Sequence, residues 1–200
     1  MKRIALIIAL TALTSQATDV VLYSQAAPSL AYPAPVARTG QTNSYAARDD
    51  GALTNGVAWP NPRFTVQANT NVVQDNLTGL MWTRDVRIFG VTNWAAAVTN
   101  CNALDYGGYT DWRLPNIREL TSLINYQFVA PPISDTTGTN KLSANTPFRN
   151  FTITGYGYWS ATARMDSRVE KFIMNDAQGN VSFIASSVSN RYTWPCRGPQ

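Results

Sequence analysis

The chain predicts an α+β fold, and three observations predict it. Short apolar runs separated by turn residues fill 63–82. Two stretches, about 93–104 and 116–126, carry apolar residues at helical spacing. After a long loop, four runs rich in β-branched and aromatic residues close the chain. Strands, then two helices, then an antiparallel sheet is the order of an α+β domain.

The first residues read as a processing signal. Lys2 and Arg3 precede an apolar run from Ile4 to Leu13, and Ser15-Gln16-Ala17 supplies small residues for cleavage after Ala17. The run is well short of the roughly 20 residues that cross a bilayer, so 1–17 is expected to leave the protein and no stable membrane insertion remains. Residues 18–35 form a linker of alanine, serine and proline, broken by Pro28, Pro33 and Pro35. The domain is expected over 36–200. Its start, 36–62, is polar and rich in turns such as Asp49-Asp50-Gly51.

Phe64 and Val66, then Val72 and Val73, suggest two strands around Asn69-Thr70-Asn71. Leu77-Thr78-Gly79 is a turn before a strand at Leu80-Met81-Trp82. Trp94, Ala97, Val98, Cys101 and Leu104 share one face of the first helix. Thr92 or Asn93 can cap it, and Gly107-Gly108 stops it. The second helix presents Ile117, Leu120, Leu123 and Ile124 and is expected to end near Tyr126. Residues 127–157 are mostly loop, a length that is usually functional or variable. Strands follow at Trp159–Ala163, Val169–Met174, Val181–Ser186 and Arg191–Arg197. Asp176-Ala177-Gln178-Gly179-Asn180 turns between the second and third of these.

The most telling segment runs from Asp111 to Leu120. Pro115 excludes a helix at Leu114, Asn116 caps the next one, and Glu119 stands where a capping box needs it. Arg113 and Glu119 can fold over the turn. This reads as a structural corner built by Arg113, Asn116 and Glu119; a catalytic role for Arg113 or Glu119 is the alternative.

Composition excludes much. The chain has no histidine, which removes Ser-His and Cys-His nucleophiles and His-ligated metals. The acidic residues show no clustered ligand pattern, so no metal, calcium included, and no cofactor is expected. Net charge is +4, or +2 without Lys2 and Arg3, too little to argue for nucleic acid. The charge is uneven: residues 18–140 balance at −2 and residues 141–200 at +4, which favours anionic partners for the C-terminal part. With an export signal the compartment is oxidising, so Cys101 and Cys196 are expected to join. The bridge would close a loop of about 95 residues, worth roughly 4–5 kcal/mol. Two unpaired thiols are the alternative.

Several pieces, in order, resemble a known family. They are GALTNGVAWPNPRF (Gly51 to Phe64), VQDNLTGLMW (Val73 to Trp82), NWAAAVTNC (to Cys101), GYTDWRLPNIREL (Gly108 to Leu120), YWSAT (Tyr158 to Thr162) and the closing Cys196-Arg197. The chain resembles the Lcl C-terminal domain family, exported bacterial domains of unknown function named for a collagen-like adhesin. The resemblance implies a fold similar to C-type-lectin-like domains and sulfatase-modifying factors, with two helices packed on a twisted antiparallel sheet. It also implies that Cys101 and Cys196 are the family's paired cysteines, and that adhesion to sulfated polysaccharide is the expected role. No collagen-like repeat precedes the domain, so trimerisation through such a repeat is not implied.

Trp82, Trp94, Trp112 and Trp159 sit beside apolar neighbours and read as core. Trp194 lies among polar residues, and lectin-like folds carry ligand on terminal strands and loops. Arginine grips sulfate and carboxylate through paired donors, and aromatic rings stack on sugars. Arg164, Arg168, Arg191, Tyr192 and Trp194 are therefore the candidate ligand residues; an ordinary solvated surface is the competing reading. Three functions follow. The first is a secreted or cell-surface, non-enzymatic adhesion domain for acidic or sulfated polysaccharide. The second is a structural domain of the periplasm or envelope that meets a surface protein. The third, least favoured, is an oxidase related to formylglycine-generating enzymes, which needs reactive cysteines.

Overall fold

The computed structural model describes residues 36–143 and 146–198. The expected signal at 1–17 and linker at 18–35 lie outside the described residues. The architecture is α+β, with two sheets where one was expected.

The first sheet has the order β1-β2-β3-β9 and is antiparallel throughout. β1 (Phe64–Val66) and β2 (Val72–Asp75) pair with Phe64 opposite Asp75. β3 (Met81–Thr83) sets Trp82 opposite Val73, and β9 (Cys196–Arg197) sets Cys196 opposite Trp82. The turn at 75–79 forms because the Asp75 carboxylate accepts the Leu77 N–H at 2.8 Å. Asp75 also pairs with Arg63, both fully buried. Arg63 donates onward to the Ser122 carbonyl at 2.9 Å, fixing the sheet to the helix that follows the corner. Burial pulls the Arg63 guanidinium down to about 9, so it stays charged at neutral pH.

The second sheet has the order β4-β8-β5-β6-β7. β5 (Tyr158–Ala163), β6 (Glu170–Met174) and β7 (Val181–Ala185) form an antiparallel meander. The turn between β6 and β7 sits where the sequence put it. β4 (Val91–Thr92) pairs antiparallel with β8 (Arg191–Tyr192), and β8 meets β5 in parallel through Tyr192 and Tyr158. The expected strand Arg191–Arg197 is therefore two strands in two sheets. Pro195 has no N–H for a ladder, and the chain crosses from one sheet to the other there.

α2 (Trp94–Asn102) starts where expected, with Asn93 accepting the Ala96 N–H at 2.9 Å. It stops before Leu104. α3 (Ile117–Ser122) ends short of Tyr126, because Ile124 leaves to bridge Ile133 in the long loop. A short α1 (Asp50–Leu53) stands in the supposed turn region, capped by Asp49, whose carboxyl its backbone donors lower to about 2.

The main core gathers Phe64, Trp82, Leu120, Phe148, Tyr158 and Trp194 between the sheets and α3. A second cluster joins Ala97 and Cys101 of α2 to Leu114, Trp159 and Ile173. Trp82, Trp112 and Trp159 are buried as expected, and Trp94 is half-buried. The 127–157 segment is irregular, yet Ile133 and Phe148 within it are fully buried.

The Cys101–Cys196 bridge is a correction: both are buried free thiols. Arg113 exchanges two backbone hydrogen bonds with Cys196, at 2.9 and 3.0 Å, while its neighbour Leu114 packs in the cluster of Cys101. Cys196 lies in the main core and Cys101 in the second cluster. Burial pushes the Cys101 thiol up to about 12 and raises Cys196 as well.

Candidate functional site

The corner after β9's partner segment is built as the sequence proposes. Asn116 Oδ1 accepts the Glu119 N–H at 3.0 Å, and Glu119 Oε2 accepts the Asn116 N–H at 2.7 Å, closing the capping box. Arg113 adds a bidentate grip on the same carboxylate, at 2.8 and 2.6 Å. Burial alone would raise Glu119, but Arg113 and the Asn116 N–H outweigh it and hold the carboxyl below its usual range. The hydrogen bonds to Glu119 raise Arg113 in turn. Both terminal nitrogens of Arg113 and both carboxylate oxygens of Glu119 are engaged within the fold.

The five candidate ligand residues do not form one cluster. Trp194 is fully buried, its Nε1 donating to the Thr83 carbonyl at 3.0 Å, with its ring against Phe148 and Tyr158. It packs the core and cannot stack on a ligand, which corrects the sequence reading. Arg164 and Arg168 lie beyond the end of β5, whereas Arg191 and Tyr192 sit beside its start. Six residues at about 3.3 Å each put the two groups roughly 20 Å apart. Arg164 is also neutralised: it pairs with Asp166 at 2.5 Å and Glu170 at 2.9 Å and lies 4.1 Å over Phe183. Its hydrogen bond to Asp166 raises it and lowers Asp166. Arg168 is exposed, with its carbonyl taking the Lys171 ammonium at 2.9 Å.

At the start of β5 the structure assembles a different set. Arg87 lies 4.1 Å over the Tyr192 ring and donates to the Thr152 carbonyl. Arg191 stands 5.9 Å over Tyr156, and the Tyr156 and Tyr192 rings are 6.4 Å apart. Gly157 makes this approach possible: its φ is +74°, and a Cβ there would meet the Met174 carbonyl oxygen at 2.2 Å. Its own carbonyl accepts the Tyr192 N–H at 2.9 Å. Partial burial lowers Arg191, and Asp176 nearby opposes that. The Asp176 carboxylate is itself occupied by the Thr154 N–H and hydroxyl and the Gly155 N–H. Two guanidinium groups over two tyrosine rings can accept an anionic group and a sugar face side by side.

A model of the Lcl C-terminal domain matches residues 71–197. The chain belongs to the Lcl C-terminal domain family. No curated protein matches the chain. The part matched as an Lcl C-terminal domain holds α2, α3, the corner, β2 to β9 and all four members of the arginine–tyrosine set. In this Lcl C-terminal domain, sequence reasoning missed Arg87 and Tyr156. Nothing in the sequence joins Arg87 to β8. Tyr156 carried a signal, an aromatic held between Gly155 and Gly157. Among the described residues, no helix is long and apolar enough to cross a membrane, and no group of His, Cys, Asp and Glu gathers at metal-ligand spacing.

Proposed function

We propose that the protein is a secreted or cell-surface, non-enzymatic binding domain for acidic or sulfated polysaccharide. The arginine–tyrosine set at the start of β5 is its contact surface. One observation carries the reading: Arg87 and Arg191 are held over Tyr192 and Tyr156, and among the described residues neither forms an ion pair with a carboxylate. Arg87 spends one donor on the Thr152 carbonyl and Arg191 one terminal nitrogen on Asn190, which leaves their other terminal donors for an incoming sulfate or carboxylate. Membership in the Lcl C-terminal domain family fits an extracellular setting. Burial of both cysteine thiols, with their ionisation suppressed, speaks against oxidase chemistry, which requires a reachable thiolate.

The test is heparin binding at low and physiological salt. Wild type is expected to bind weakly and to lose affinity as salt rises, since exposed charges are screened over about 8–10 Å at physiological salt. Arg191→Ala is expected to weaken binding about tenfold, and Arg164→Ala, already ion-paired, to leave it unchanged. Failure of the wild type to bind heparin at low salt would remove the glycan reading. The protein-interaction reading would then stand. It draws support from the edge strand β7, where Val181 and Phe183 are each 45% exposed beside the fully exposed Met165.

A further inference from the structure

A cleft of about 350 Å³ is lined by residues of the segments 38–42, 54–59, 125–128 and 138–139. Its volume is within the range of small-molecule sites. Most of it comes from a part of the chain that precedes the family match. Three features give it a chemical character. Trp59 and Phe128 supply half-buried aromatic surface. Asn125, only 2% exposed, ties the cleft together, donating to the Gly138 carbonyl at 3.2 Å and accepting the Gln127 N–H at 2.9 Å.

The third feature is a pair of fixed amides. Gln127 Oε1 accepts three hydrogen bonds, from the Thr42 N–H at 2.8 Å, the Asn43 N–H at 2.9 Å and the Thr42 hydroxyl at 3.2 Å. That sets the amide, and its Nε2 donors have no protein partner among the described residues. Gln41 gives its own Nε2 to the Asn43 carbonyl at 3.0 Å, which leaves its Oε1 as an acceptor without a partner among the described residues. Donor and acceptor are thus oriented before any ligand arrives, which lowers the ordering cost of binding.

We propose that this cleft binds one neutral pyranose unit. A sugar hydroxyl both donates and accepts, matching Gln127 Nε2 and Gln41 Oε1, and the C–H face of a pyranose matches an aromatic wall. Among the lining residues Arg38 alone is charged, and it is exposed, so a sulfate or phosphate would find no paired cationic donors. The site is independent of the arginine–tyrosine set and uses none of its residues.

The experiment is two-dimensional NMR of the ¹⁵N-labelled protein with glucose, galactose and N-acetylglucosamine, each added alone at millimolar concentrations. At least one sugar is expected to shift the Gln127 side-chain amide and the Trp59 indole signals saturably, to the same extent at low and high salt. Gln41→Ala is expected to weaken that sugar about tenfold. Gln127→Ala, with the fold verified by its own spectrum, is expected to abolish the shifts. The proposal is overturned if none of the three sugars gives a saturable shift, if the shifts centre on Tyr192 instead, or if they survive the Gln41→Ala, Gln127→Ala pair unchanged. Salt-sensitive heparin binding and salt-insensitive sugar binding are separate readouts, so failure of one leaves the other standing.

Discussion

Replacing Arg113 by Ala removes the two charge-assisted hydrogen bonds to Glu119 and nothing of the backbone pairing to Cys196. The Arg113 side chain is 30% exposed and that of Glu119 17%. A fully solvated pair would contribute about 0.2–1 kcal/mol, and hydrogen bonds to charged groups away from water about 1.5–3. Partial exposure places this bidentate pair in the lower part of the second range, at about 2 kcal/mol. For a domain of this size that is a fall in Tm of about 4–8 °C. The pH dependence is more discriminating. Glu119 is held below its ordinary value in the folded protein, so its contribution is complete above the unfolded pKa, about 4.3, and is lost as pH falls through the lower folded value. Wild type and Arg113→Ala should therefore differ by about 2 kcal/mol at pH 7 and converge at acid pH. Urea unfolding followed by tryptophan fluorescence at a series of pH values measures both. A difference under about 0.5 kcal/mol at neutral pH, or the same difference at pH 7 and at strongly acid pH, would refute the account of the corner.

Two further outcomes follow from the core. Trp194→Ala should cost about 3–5 kcal/mol in the same assay, as for other large buried aromatics; loss of heparin affinity with stability intact would return Trp194 to the binding surface. Native protein should resist iodoacetamide at both cysteines, and denaturation in guanidinium without reductant should expose two reactive thiols by mass spectrometry. Absence of any labelling under denaturing conditions would establish the bridge in place of the free thiols.

Features encoded by neighbours in sequence were legible. The Asn93 and Asn116 caps, the box closed by Glu119, and the turn between β6 and β7 each depend on a few consecutive residues. Features too short for periodicity were not. α1 spans one turn, so Asp49-Asp50-Gly51 reads equally as a turn or a cap, and β4 has two residues. Trp194 misled for a different reason. Its neighbour Thr193 is polar but fully buried, its hydroxyl 3.0 Å from that of Thr92, so local polarity did not report exposure. The charge excess of residues 141–200 was real, but Arg164 is matched by Asp166 and Glu170 once folded. Arg87 enters the candidate site by tertiary packing alone, which no local pattern carries.

The crossing at Pro195 has a consequence for how the chain reaches its native state. β8 inserts between β4 and β5, and β9 completes the sheet begun by β1, so both sheets wait for the same few late residues. A polypeptide leaving the ribosome from its N-terminus cannot finish either sheet until that segment has emerged. Such long-range pairing also slows closure once the segment is available. Until then β4 lacks its partner and the Trp82 face lacks its lid. The nascent protein is held open by its own topology until those last residues are free to pair.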